Sequence, residues 1–225
     1  RRLHIHNQLR KALNNNELFL HFQPQLMVDG GRLMGVEALL RWQLPGRGLV
    51  SPAEFIPIAE ETDLIIDIGQ WVMMEACHQC VRWEEDGLAL PQLSVNVSAK
   101  QFHHPNFVEQ VYEVLSCTGM EPSLLNLEIT ESVVLGNTED TIHKMSELKQ
   151  LGISFSIDDF GTGYSSLGYL KRLPVDELKI DRSFIQDIPH DRSNMAIVEA
   201  IMAMARHLNF NVTAEGVETR QQLEF

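Results

Sequence analysis

The sequence predicts an α/β fold: a TIM-type (β/α)8 barrel whose first strand runs antiparallel to the second. Three observations predict it. Short apolar runs alternate with segments of helical period. The first two runs are joined only by a turn around Asp29-Gly30-Gly31-Arg32, too short to hold a crossover helix. Polar residues recur at the C-terminal ends of successive runs, where a barrel gathers its functional side chains. An open doubly wound sheet would instead cluster them at one switch point.

Residues 1–16, with Leu9 and Leu13 spaced by four, read as a helix leading in from an upstream domain. The chain is therefore divided into a lead-in at 1–17 and one domain at 18–225. Strand-like runs follow at 18–26, 33–40, 93–97, 124–129, 153–157, 175–180 and 210–214. Helical period marks 64–83, 107–115, 141–151 and 194–208. After the opening hairpin, strand–helix alternation predicts right-handed parallel crossovers. Seven strands are counted, whereas a closed barrel needs eight and typically ~250 residues. The expectation is that the last strand and helix are missing from this chain, that the domain is C-terminally incomplete, and that the natural protein continues past Phe225. Opening on Arg1 rather than Met points the same way, to an excerpt of a longer protein.

Hydrophobic residues make up 44% of the chain, ample for a full core, and no linker divides it. The net charge of −13 argues against a general nucleic-acid surface, so no DNA partner is expected. A small phosphorylated ligand stays compatible, because bound divalent cations invert the local field. No run approaches the ~20 apolar residues of a membrane span, and no signal peptide is visible. Three cysteines make a disulfide framework unattractive. Cys77 and Cys80 fall in a helical stretch with Ile65, Ile68, Val72 and Ala76, and read as core packing. A reducing, cytoplasmic setting follows, in a parent protein that is either free or membrane-anchored.

Polar residues mark the strand ends in sequence order. Glu37 lies in the second strand, Asn96 ends the third, Glu128 and Glu131 end the fourth, and Asp158-Asp159 end the fifth. Lys179 lies in the sixth, and Glu215 and Glu218 follow the seventh. Adjacent aspartates repel unless a cation holds them. Glu37 and Glu128 have apolar neighbours on both sides, which places them in the sheet, and burying such acids is costly without neutralisation. Hard oxygen ligands suit Mg²⁺ or Mn²⁺. Several acids in one layer suit two metals sharing a carboxylate, the arrangement used for in-line displacement at phosphorus.

Glu37-Ala38-Leu39 with Arg41 resembles the signature of EAL domains, the cyclic di-GMP phosphodiesterases. The resemblance extends through Phe22-Gln23-Pro24-Gln25, Asn96-Val97-Ser98, Glu128-Ile129-Thr130-Glu131, residues 158–167, Leu178-Lys179-Ile180-Asp181 and residues 214–218. A three-letter match alone would carry little; ordered blocks across the chain are specific. The resemblance implies metal-dependent hydrolysis of cyclic di-GMP to linear pGpG, with two Mg²⁺ or Mn²⁺ ions per site. It implies that Glu37, Asn96, Glu128 and Asp158 hold one metal, and that Asp158 bridges to a second, supported by Asp159 and Glu215. Lys179 would orient the attacking water or stabilise developing charge. Arg41 would fork onto a substrate phosphate, with Gln23, Leu39 and Glu218 as further substrate contacts. Glu131 would anchor the loop that starts at Asp159. The resemblance also implies a homodimer through the loop and helix at 159–172 and an upstream sensory or cyclase-like domain; the further expectation is that dimer contact orders this loop and completes the second metal site. Similar proteins continue into an eighth strand and helix carrying a further active-site Gln.

Two other functions compete. A receptor module would bind cyclic di-GMP with weak or no cleavage, but degenerate members of that kind usually lose metal ligands that this chain keeps. A different metal-dependent barrel enzyme, of aldolase or enolase type, would act on small acids. Asp159-Phe160-Gly161 matches the metal-binding triplet of kinases, without the other kinase motifs. His4, His6, His103 and His104 lack partners at ligand spacing. Ser165 and Ser166 lack a nucleophile-elbow pattern and read as caps of the following helix.

Overall fold

The computed structural model describes residues 2–134, 138–162 and 167–225. Ser165 and Ser166, expected as helix caps, lie outside the described residues, as do Gly163 and Tyr164 of the loop. The chain divides into two compact units, Arg1–Asn126 and Leu127–Phe225. The described residues hold the seven expected strands and one more.

In the first unit, α1 (Arg2–Ala12) buries Ile5, Leu9 and Ala12. β1 (Leu18–Leu26) and β2 (Leu33–Leu44) pair antiparallel, as the short turn requires. Gly30 and Gly31 carry φ of +81° and +63° in that turn, conformations that glycine adopts without a Cβ penalty. β3 (Gly48–Val50) folds back on β2. Its three residues are too few to leave a periodic signal. α2 (Pro52–Glu61) also escaped the sequence reading. Pro52 suits the first turn, but Pro57 inside the helix lacks a backbone donor and reads as a breaker.

α3 (Leu64–Glu85) buries the stripe that its period predicted, including Cys77 and Cys80. β4 (Leu93–Val97) lies parallel to β2, and α4 (Ala99–Phe102) follows with Ser98 accepting from the Gln101 N–H. α5 (Phe107–Thr118) completes this unit's helices. Burial locks in large side chains: Trp42, Phe55, Phe102 and Phe107 are all fully enclosed. Trp42 meets Phe55 edge-on at 5.5 Å. Its Nε1 donates to Glu17 at 3.1 Å, so the indole's one polar atom is satisfied inside the core.

A 3₁₀ turn at Pro122–Leu124 leads into β5 (Leu125–Thr130), which starts just before the division. α6 (Glu131–Val134), α7 (Thr138–Gln150), β6 (Ser154–Phe160), α8 (Leu167–Leu170), β7 (Glu177–Ile180) and α9 (Arg182–Ile185) follow. The unit ends with α10 (Arg192–Leu208), β8 (Asn211–Ala214) and α11 (Arg220–Glu224). The strand order is β5-β6-β7-β8, with β6, β7 and β8 parallel. β5 and β7 are enclosed on both faces over most of their length, although polar residues alternate with apolar ones along both. α10 is capped at both ends: Asp191 accepts from the N–H groups of Ser193 and Asn194, and Asn209 closes the C-terminus at φ 59°.

Candidate metal centre

In the first unit, Glu37 and Asn96 come together. Asn96 Nδ2 donates to Glu37 Oε1 at 2.7 Å. β2 sets up the contact by alternation: Ala38 is buried on one face, while Glu37, Leu39 and Arg41 share the other. Gln23 sits directly opposite Glu37 in the antiparallel register. Arg41 Nη1 donates to the Leu40 carbonyl at 2.9 Å, which fixes one edge of its guanidinium.

In the second unit, Lys179 is the hub. Its ammonium lies 2.6 Å from Glu128 Oε2, 2.8 Å from Glu215 Oε1 and 3.4 Å from Asp158 Oδ1. Lys179 and Glu128 are each 1% exposed. A lysine on an apolar strand end costs several kcal/mol to desolvate, and these carboxylates are what offset it.

Asp158 and Asp159 should point to opposite faces of a regular strand. The register of β6 against β7 shifts between Ile157 and Phe160, and Asp159 takes φ 53°. This bulge re-aims the second side chain, so Asp158, Asp159 and Glu215 each offer an oxygen within 4.8 Å of the others. The cost of that crowding appears at Asp159. Burial first, then the charges of Asp158 and Asp181, raise its pKa above the ordinary carboxylate value, and a hydrogen bond with Asp181 adds to this. Lys179 offsets part of the rise. Asp181 is a site residue that the strand-end pattern did not single out; its place two residues beyond Lys179 is the signal that marks it.

The loop after β6 turns at Gly161, φ +98°, where a Cβ would press on Phe184. Glu131 Oε1 accepts from the Gly161 N–H at 2.8 Å, so the first residue of α6 grips the root of this loop. Glu218 lies exposed between β8 and α11, its N–H donating to Gln222 Oε1.

The donor set fits a hard divalent cation. Glu128, Asp158, Asp159 and Glu215 set four carboxylates around the single ammonium of Lys179. When all are ionised, three negative charges are left over. All-oxygen donors of this kind match Mg²⁺ or Mn²⁺ rather than a thiolate- or imidazole-loving metal.

The family model described as EAL domain matches residues 6–225. The chain belongs to the EAL domain family. This EAL domain is 48% identical over 223 residues to the Pseudomonas aeruginosa bifunctional diguanylate cyclase/cyclic di-GMP phosphodiesterase MucR. The match takes in 99% of the chain and 33% of that protein. It is 44% identical to the cyclic di-GMP phosphodiesterase NbdA of the same species, over 99% of the chain and 28% of that protein. The chain thus spans about a third or less of these relatives. Among solved structures, it superposes on the PaMucR phosphodiesterase in complex with c-di-GMP with a TM-score of 0.94 at 48% identity, covering 98% of the chain and 90% of that one. The fold of this EAL domain is therefore the α/β, TIM-type class expected from its strand–helix alternation.

Proposed function

We propose that this chain hydrolyses cyclic di-GMP to linear pGpG in a metal-dependent reaction, ending a bacterial second-messenger signal. The observation that carries the reading is the buried Lys179 ammonium among Glu128, Asp158 and Glu215. Family membership supports it, as does the bound c-di-GMP of the PaMucR structure.

In this reading Glu37, Asn96, Glu128, Asp158, Asp159 and Glu215 serve as ligands for Mg²⁺ or Mn²⁺, two ions per site. Bound divalent metal supplies charge neutralisation at the scissile phosphodiester and acidifies water for attack. Lys179 is pinned by its carboxylates before substrate arrives, so its positive charge costs no reorganisation when the phosphorane-like charge develops. Glu37 keeps its orientation through the Asn96 amide. Arg41 presents the planar fork that matches two phosphate oxygens, which a lysine could not do. Gln23, Leu39 and Glu218 contact the dinucleotide, and Glu131 holds the loop root through Gly161. The leaving oxygen departs as a free ribose 3′-hydroxyl, and the new terminus is a 5′-phosphate.

Assembly belongs to the same reading: a homodimer through residues 159–172, a cytoplasmic setting, and an upstream sensory or cyclase-like domain. The name of MucR as a bifunctional diguanylate cyclase and phosphodiesterase, only 33% of which the match covers, supports the last of these. Among the described residues no helix is long and apolar enough to cross a membrane.

The test is turnover of cyclic di-GMP with Mg²⁺ or Mn²⁺ by wild type and Glu37→Ala. Wild type should yield pGpG and the variant none; turnover that survives Glu37→Ala overturns the ligand assignment. Tight binding with no cleavage in saturating Mn²⁺ would instead favour a receptor module.

A further inference from the structure

Side chains on one face of a strand recur every second residue. One step before Asp158, Lys179 and Glu215 on their strands therefore stand Ser156, Glu177 and Thr213. These three are joined. Ser156 Oγ donates to Glu177 Oε2 at 2.7 Å, and Thr213 Oγ1 donates to Glu177 Oε1. Ser156 is fully buried and Glu177 is half-buried. Glu177 lies opposite Ser156 in the β6–β7 register, and the β7–β8 ladder places Lys179 opposite Thr213. One carboxylate thus ties β7 to both its neighbours, one step before Asp158, Lys179 and Glu215. The first unit repeats the motif more weakly: Asn126 Nδ2 donates to Ser94 Oγ at 3.0 Å, one step before Asn96 on β4.

We propose that Glu177 is a positioning residue for the metal centre. Both its oxygens are engaged, one by each neighbouring strand, so its carboxylate fixes the spacing of β6, β7 and β8 at the point where they deliver Asp158, Lys179 and Glu215. A leucine there would remove both links and leave the buried Ser156 hydroxyl and the half-buried Thr213 hydroxyl to find new partners. A glutamine keeps the shape and both links, because its amide can accept from one hydroxyl and donate to the other. The inference rests on the proposed phosphodiesterase reading for its kinetic arm but not for its metal-binding arm.

The experiment compares wild type, Glu177→Leu and Glu177→Gln by Mn²⁺ binding, read from the electron paramagnetic resonance signal of the free ion, and by cyclic di-GMP turnover. Outer-shell partners typically hold about 10–100-fold in metal affinity or activity, so Glu177→Leu should weaken Mn²⁺ binding and lower kcat by that order with KM nearly constant. Glu177→Gln should restore most of both. Thr213→Val, which removes a single link, should fall between them and stands in if Glu177→Leu does not fold. Mn²⁺ affinity and kcat at wild-type level in Glu177→Leu or Thr213→Val, with only the melting temperature lowered, would overturn the proposal and leave Glu177 a sheet fastener. A wild type that binds Mn²⁺ yet cleaves nothing would sink the phosphodiesterase reading, while the Mn²⁺ comparison would still decide the role of Glu177.

Discussion

Lys179 stands at the residue scale as the side chain whose loss has two separable consequences. Breaking a buried ion pair by deleting one partner costs about 3–5 kcal/mol, because the other charge is left uncompensated. Lys179→Met should therefore abolish turnover and also lower the melting temperature, by roughly 2–4 °C per kcal/mol for a domain of this size. Saturating Mn²⁺ should recover part of that melting temperature by neutralising Glu128, Asp158 and Glu215, without recovering turnover. A variant that keeps the wild-type melting temperature in the absence of metal would show that the ammonium does not hold the carboxylates together.

The cysteines give a second residue-scale prediction. Burial, helped by the neighbouring Cys80, pushes the Cys77 thiol up to about 12, and Cys80 is raised too. A raised thiol pKa leaves little reactive thiolate below that value. At pH 8 a disulfide reagent should therefore titrate exposed Cys117 quickly and reach Cys77 and Cys80 only after denaturation. Rapid labelling of all three in the native protein would contradict the packed helix face.

At the scale of elements, the loop root and the helix caps carry the predictions. A hydrogen bond to a charged group is worth about 1.5–3 kcal/mol, so Glu131→Ala should release the Gly161 turn and cut turnover by about 10–100-fold. The same loss should lower its melting temperature by roughly 2–4 °C per kcal/mol, a combination that steady-state kinetics and calorimetry can check together. Asp191→Ala should separate the two. It removes the cap of α10 at a cost of about 1 kcal/mol and should leave kcat alone.

Element type was legible wherever period and length agreed. α3 and α5 showed their buried stripes, and β4 and β5 showed apolar residues alternating with Ser94 and Asn96 and with Asn126 and Glu128. α2 was hidden because Pro57 mimics a helix end, and β3 because three residues carry no period. Of the metal centre, the acids and Lys179 could be picked out one at a time, since a charge amid apolar neighbours needs a reason. Three things could not be read. The bulge that turns Asp159 toward Asp158 is a backbone conformation with no glycine to announce it. The engagement of Asp181 with Asp159 depends on that bulge. The Ser156–Glu177–Thr213 link joins three strands distant in sequence, through residues ordinary for any strand.

At the scale of the whole molecule, the charge of −13 opposes an anionic dinucleotide, and bound cations must reverse that sign locally. Metal should therefore act on stability as well as on rate. A ligand that binds only the folded state at 100 times its Kd adds about 2.7 kcal/mol. Chelation should lower the melting temperature, and the shift should shrink in Asp158→Asn, which loses a ligand charge.

Metal-dependent opening of a cyclic dinucleotide is read directly by chromatography of cyclic di-GMP incubated with the protein in Mg²⁺, alongside the same mixture in excess chelator. A single new peak at the position of pGpG is expected with Mg²⁺, and unchanged substrate with chelator. Intact cyclic di-GMP in Mg²⁺, or equal cleavage in chelator, would contradict it.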